Sequence, residues 1–191
     1  ALRNANDGIS MINTAEGALS EQGSIVIRMR ELAAQAATGT VGSAERTTIN
    51  REFTALRDEI DRITAVTEFN GQKLLNGALN SSVPAGSAVV IHVGMQNSAS
   101  DKISLNTAVN MTTISSTGLG IKDLSVAFSS SALAAMATLD TALATVTESR
   151  GKLGAVQNRL VHTINNLAVS AENLQAAESQ IRDADYSSEI S

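Results

Sequence analysis

Residues 153–181 read LGAVQNRLVHTINNLAVSAENLQAAESQI, and an aliphatic residue recurs at every seventh position: Leu153, Leu160, Leu167, Leu174 and Ile181. This repeat is typical of a long helix that packs along other helices. No proline interrupts the chain from Ser131 to Tyr186, so we predict one helix across that range. At 1.5 Å per residue it would be roughly 80 Å long, more than a compact domain of this size requires. The pattern therefore predicts an elongated, rod-like molecule.

Two further helices are predicted before this one. The first runs from about Asp7 to Ala37, because small and aliphatic residues alternate steps of three and four: Ile12, Ala15, Leu19, Gln22, Val26, Met29, Ala33 and Ala36. After a Gly-containing reversal, the second begins at Ser43 as its N-cap and ends near Val66. Its buried row is Ile49, Phe53, Leu56, Ile60 and Ile63.

The middle of the chain loses the helical period. Short aliphatic runs at residues 88–93 and 102–105 read as strands separated by Gly, Ser and Asn turns. We predict a mainly α fold: an elongated rod-like helical bundle of two N-terminal helices and one long C-terminal helix, with a small β-hairpin region in the middle of the chain that lies at one end of the rod. The predicted division is 1–68 for the N-terminal helices, 69–130 for an outward-facing hairpin and irregular segment, and 131–191 for the C-terminal helix.

Composition narrows the functional classes. The formal net charge of −5 argues against a general attraction to nucleic acid. No apolar stretch approaches the roughly 20 residues that span a bilayer, so we expect no membrane insertion. The absence of cysteine removes disulfides and thiolate sites, and His92 and His162 belong to no metal-binding motif. We therefore expect no cofactor, no metal ion and no enzymatic activity.

Five ordered blocks of sequence resemble those of bacterial flagellins: residues 4–10, 14–19, 30–36, 68–75 and 178–186. The resemblance implies a secreted, extracellular structural subunit of the bacterial flagellum that serves motility. It also implies a core-domain fragment that lacks the terminal polymerisation segments of the family. The partners implied are other flagellin subunits, and we expect the fragment itself to be monomeric.

The resemblance implies a second kind of partner. Arg28, Leu32 and Glu52 match positions at which flagellins contact the innate immune receptor Toll-like receptor 5. The spacing of the first helix places Arg28 and Leu32 outside the buried row, so these three residues could share one exposed face. We expect that receptor and protofilament interface to comprise Arg28, Leu32, Glu52, Arg30, Glu31 and Gln35. In the alternative interpretation, Arg28 and Glu52 form an interhelical ion pair and Leu32 widens the buried row.

Two other functions fit the same architecture. A hook-filament junction protein resembles flagellin at its ends without forming the long filament, although residues 30–33 and 182–185 fit flagellin better. A secreted helical adhesin or binding module would not require five ordered flagellin blocks. An inserted peptidase would require a catalytic domain, for which the middle of the chain is too short.

Overall fold

A computed structural model describes residues 1–94 and 98–189, with side chains described as far as Arg182. It contains four α-helices, α1 (Leu2–Ala37), α2 (Ser43–Val66), α3 (Leu105–Val109) and α4 (Ser129–Glu189), and two short 3-10 helices at Ala85–Ser87 and Ala99–Asp101. Four short strands complete it: β1 (Glu68–Phe69), β2 (Gln72–Lys73), β3 (Val90–His92) and β4 (Lys102–Ser104). The mainly α architecture with antiparallel strand pairs in the middle of the chain confirms the predicted fold class.

The helix bounds differ from the predicted ones mainly at the ends. Helix α1 begins at Leu2 rather than near Asp7, and α4 begins at Ser129 rather than Ser131. Ile190 and Ser191, the last two residues of the predicted C-terminal segment, lie outside the described residues. Helix α2 ends at Val66 and α4 begins at Ser129, and both positions lie close to the predicted segment boundaries. The outward orientation of residues 69–130 stays a prediction.

Helices α1 and α4 run antiparallel and form the main core. All eight residues predicted for the α1 row are buried. On α4, Leu153 and Leu160 are fully buried, but Leu174 is 58% exposed and Ile181 is 74% exposed. Within the repeat, Leu153 and Leu160 therefore belong to the core and Leu174 and Ile181 do not. Residues 1–4 lie beside Leu167, Ser170, Ala171 and Leu174.

The turn between α1 and α2 is stabilised by a side chain rather than by the predicted N-cap. Ser43 is the first helical residue of α2, and the N-cap is Gly42 without a side-chain hydrogen bond. Instead, the guanidinium group of Arg46 donates to the carbonyl oxygens of Ala36 at 2.7 Å and Thr38 at 2.9 Å. These carbonyls at the end of α1 otherwise have no helical partner.

The β-hairpins of the middle of the chain lie at one end of the bundle, as predicted, but residues 111–128 do not. The β3–β4 hairpin docks at the start of α1, where the Asn4 side chain donates to the carbonyl of His92 at 3.0 Å. Residues 111–128, which we call the strap, then run along α2 to the other end of the bundle. Several aliphatic side chains of the strap are buried, so it belongs to the core: Met111, Ile114, Leu119, Ile121 and Val126.

Side chains of α2 hold the strap in place. The Asp61 carboxylate accepts from the backbone N–H and the hydroxyl of Ser116, both at 2.7 Å. Further along, Asn50 Oδ1 accepts from the backbone N–H of Val126 at 2.8 Å. The strap thus lies antiparallel to α2 and is held by side chains of that helix. None of the helices among the described residues combines the length and apolar character needed to cross a membrane.

Candidate interaction face on the first two helices

Arg28 lies at the centre of a charged cluster on α1 and α2. Its Nε and Nη2 atoms donate to Glu52 Oε1 at 3.0 Å and 2.8 Å, and its Nη1 donates to Glu31 Oε2 at 3.1 Å. The side chains of Arg28, Glu31 and Glu52 are 51%, 61% and 48% exposed. The ion pair foreseen in the alternative interpretation is therefore present, and it lies at the surface.

The charge of Arg28 is reinforced by its neighbours. Its hydrogen bond to Glu52, followed by the one to Glu31, raises the pKa of the guanidinium group above its already high ordinary value. Arg28 therefore stays protonated wherever the fold persists. Because exposed ion pairs contribute only about 0–1 kcal/mol to stability, this cluster can exchange its partners with another protein at small cost.

Leu32 does not share this exposed face, and its predicted exposure was wrong. Its relative exposure is 1%. Leu32 follows the buried Met29 by three residues and precedes the buried Ala36 by four, which places it at the edge of the same helical row. The alternative interpretation, in which Leu32 widens the buried row, is the correct one.

The remaining predicted residues separate onto two sides of α1. Arg30 pairs with Asp140 of α4, with 2.5 Å between its Nε and the carboxylate Oδ1. It lies about 200° around the helix from Arg28 and so faces the α1–α4 groove. Gln35 is exposed and lies one turn beyond Glu31, on the side of Arg28. The structure therefore groups Arg28, Glu31, Gln35 and Glu52 and leaves Arg30 apart.

Sequence reasoning missed one residue of this surface. Ile27 is 48% exposed and lies one helical turn before Glu31, so an aliphatic side chain adjoins the charged cluster. Its position outside the row of three- and four-residue steps was the signal that could have identified it. We call the set Ile27, Arg28, Glu31, Gln35 and Glu52 the interaction face.

The chemistry of this face suits contact with another macromolecule. Arginine is one of the residue types enriched at the centres of protein–protein interfaces, and here an aliphatic side chain, carboxylates and an amide surround it. Among residues 1–94 and 98–182, no group of three or more His, Asp or Glu side chains could hold a metal ion.

Comparisons with known proteins identify the family. Residues 1–80 match the family model of the bacterial flagellin N-terminal helical region, and residues 136–191 match that of the C-terminal helical region. The chain is 43% identical to a flagellin of Bacillus subtilis over 220 residues, which cover all of this chain and 70% of the relative. It is also 43% identical to a flagellin of Halalkalibacterium halodurans, covering 66% of that protein.

Structural similarity agrees with the sequence matches. The crystal structure of Bacillus cereus flagellin superposes with a TM-score of 0.69 at 30% identity, covering 93% of this chain and 95% of the other. Four of the five sequence blocks lie within the N-terminal match and the fifth lies within the C-terminal match. The chain belongs to the bacterial flagellin family, and it is a structural subunit of the flagellar filament.

Proposed function

We propose that the chain uses its interaction face both against neighbouring subunits in the filament and against Toll-like receptor 5. Flagellins polymerise with other flagellin subunits in the extracellular filament of the bacterial flagellum, so this surface has a partner available in every copy. The proposal includes secretion of the chain and no enzymatic activity, in keeping with a structural family.

The observation that carries the proposal is the cluster around Arg28. Arg28, Glu31 and Glu52 are each about half exposed and satisfy one another, so the surface presents organised charge instead of mobile side chains. The neighbouring Ile27 supplies apolar area at 48% exposure. Leu32 is excluded from the receptor contact because it is buried.

The architecture supports use of the same face in the filament. Helical rods that meet through unlike patches form open helical polymers when the rotation between copies does not close. Helices α1 and α2 present polar, exposed rows along their length, which suit many specific contacts of small individual energy. A receptor that binds this face would then compete with a neighbouring subunit for it.

The receptor arm is tested with Arg28→Ala and a matched control in a cell line that reports Toll-like receptor 5 signalling. Arg62→Ala is the control. Like Arg28, Arg62 is exposed, at 61%, and it pairs with a carboxylate, that of Glu59 on α2. Truncation of a hot-spot arginine costs about 2 kcal/mol or more, so we expect Arg28→Ala to weaken the response at least about tenfold. Arg62→Ala should change it less than about twofold.

Both variants should unfold at the same urea concentration as the parent, since both arginines are exposed. Equal responses from the two variants would show that the receptor does not use this face. Competition between the two partners tests the filament part of the proposal. A pre-assembled filament of the full-length protein should signal more weakly than the same mass of monomer. Equal signalling would show that the two partners do not share this face.

A further inference from the structure

The core of α1 contains one fully buried polar residue. Gln22 is 0% exposed in a row that is otherwise small or aliphatic. Its Nε2 atom lies 3.2 Å from the carbonyl oxygen of Ile60, 2.9 Å from Thr64 Oγ1 and 3.1 Å from the carbonyl oxygen of Ile114. Gln22 therefore joins α1 to α2 and to the strap at a single point.

Thr64 reaches the same two carbonyl groups. Its hydroxyl donates to the carbonyl of Ile60 at 2.9 Å and also lies within hydrogen-bond distance of the carbonyl of Ile114. The opposite orientation of the Gln22 amide would place its oxygen against two carbonyl oxygens, so the geometry favours the amino group at this position.

Counting hydrogens shows that the cluster has two complete arrangements. The amide of Gln22 has two hydrogens and the hydroxyl of Thr64 has one. In the first arrangement Gln22 binds Thr64 and Ile60 while Thr64 binds Ile114. In the second, Gln22 binds Thr64 and Ile114 while Thr64 binds Ile60. Both arrangements satisfy the same acceptors, and the carbonyl of Ile114 has a donor in each.

The cluster is retained at a cost to stability. Gln22 Oε1 has no hydrogen-bond partner in the described part of the chain, and an unpaired buried acceptor is unfavourable. A buried polar residue of this kind can be kept because it specifies how segments are positioned. Here the segment positioned is the strap, which α2 otherwise holds through side chains such as Asp61 and Asn50.

We propose that Gln22 and Thr64 form a redundant latch that positions the strap on the α1–α2 pair, with either residue alone sufficient to hold the carbonyl of Ile114. Both are positioning residues. The redundancy lets the strap stay fastened while the hydrogen bonds exchange between the two arrangements.

Hydrogen exchange of backbone amides tests the latch. The amides of Ser116 and Val126 donate to Asp61 and Asn50 of α2 at 2.7 Å and 2.8 Å, so their exchange rates report detachment of the strap from that helix. We expect Gln22→Met and Thr64→Val, taken singly, to change these rates less than threefold. The double variant should accelerate them at least tenfold, while amides in the middle of α4 change less than threefold.

Matched variants separate the latch from ordinary packing. Gln22→Met with Thr64→Ser keeps the hydroxyl and should retain slow exchange in the strap. A tenfold acceleration in either single variant would overturn the redundancy, and slow exchange in the Gln22→Met, Thr64→Val variant would overturn the latch. If that variant fails to fold while Gln22→Met, Thr64→Ser folds with a protected strap, the hydroxyl is shown to be the remaining fastening.

Discussion

On α1, exposed and buried side chains lie only a few residues apart. Arg28 and Leu32 are one turn apart, yet Arg28 is exposed and Leu32 is buried. The spacing of three and four residues identified most of the buried row but not its width, because the width depends on how closely α2 approaches. Gln22 was placed in the row correctly, but its partners Thr64 and Ile114 could not be predicted from positions 42 and 92 residues away.

Burial of Leu32 predicts its effect on stability. Leu32→Ala should lower the free energy of unfolding by about 2–5 kcal/mol, because it removes buried methyl groups and leaves a cavity. Leu32→Met, which keeps the volume, should cost less than about 1.5 kcal/mol. Urea denaturation followed by circular dichroism measures both.

Leu133→Ala is the control for this pair, since Leu133 is 59% exposed and its truncation should change stability by less than about 0.5 kcal/mol. A similar loss for Leu32→Ala and Leu133→Ala would contradict the burial of Leu32.

At the scale of elements, the three long helices could be predicted and the strap could not. Period and proline content define α1, α2 and α4 locally. The strap has no period because its backbone is held by side chains from another element, such as Asp61 and Asn50. The β1–β2 hairpin could have been predicted from its turn. Asn70 and Gly71 have φ of 50° and 78°. An Asn-Gly pair is a known signal for such turns, although it was not used to predict this one.

Docking of the β3–β4 hairpin on α1 depends on one glycine. A Cβ atom at Gly8 would lie 2.3 Å from Ile91 Cδ1. Gly8→Ala should therefore destabilise the protein by about 1–3 kcal/mol through overpacking, despite the better helix propensity of alanine. Ile91→Val removes the clashing methyl group, so it should be neutral or stabilising in the Gly8→Ala background and destabilising by about 0.5–1.5 kcal/mol in the parent.

Gly17 provides the comparison on the same helix. A Cβ atom there would have nothing within 4 Å, so Gly17→Ala should stabilise the protein by up to about 1 kcal/mol through helix propensity alone. Thermal unfolding of the four variants measures the cycle. Equal behaviour of Gly8→Ala and Gly17→Ala would show that the hairpin does not approach α1 closely.

Across the described surface, exposed apolar side chains are mostly scattered, and one short apolar stripe lies near the end of α4. It consists of Leu174, Ile181 and their neighbours on that helix. A stable protein–protein interface usually buries at least about 1,200 Å², and this stripe is too narrow to supply that area alone. The 61-residue length of α4, roughly 90 Å, follows from the sequence, whereas the extent of its burial depends on its contacts with the other elements.

We therefore predict that this chain is monomeric in solution. Light scattering coupled to size-exclusion chromatography should give the mass of one chain, 19.8 kDa, over a hundredfold range of concentration. Ile181→Ser should not change that mass. Long filaments of this chain under mild conditions would contradict the prediction, and concentration-dependent dimers lost in Ile181→Ser would assign self-association to the stripe.

The path of the chain has a consequence for the order of folding. Helix α1 contacts α2 across 24 residues, through Arg28 and Glu52, but contacts α4 across 144 residues, through Asn13 and Gln157. Closing the longer loop costs more chain entropy and is slower. The helical hairpin of α1 and α2 can therefore form early. The larger part of the buried surface of α1 is covered only when α4 packs against it. We expect folding of the described residues to be completed when α4 packs against α1.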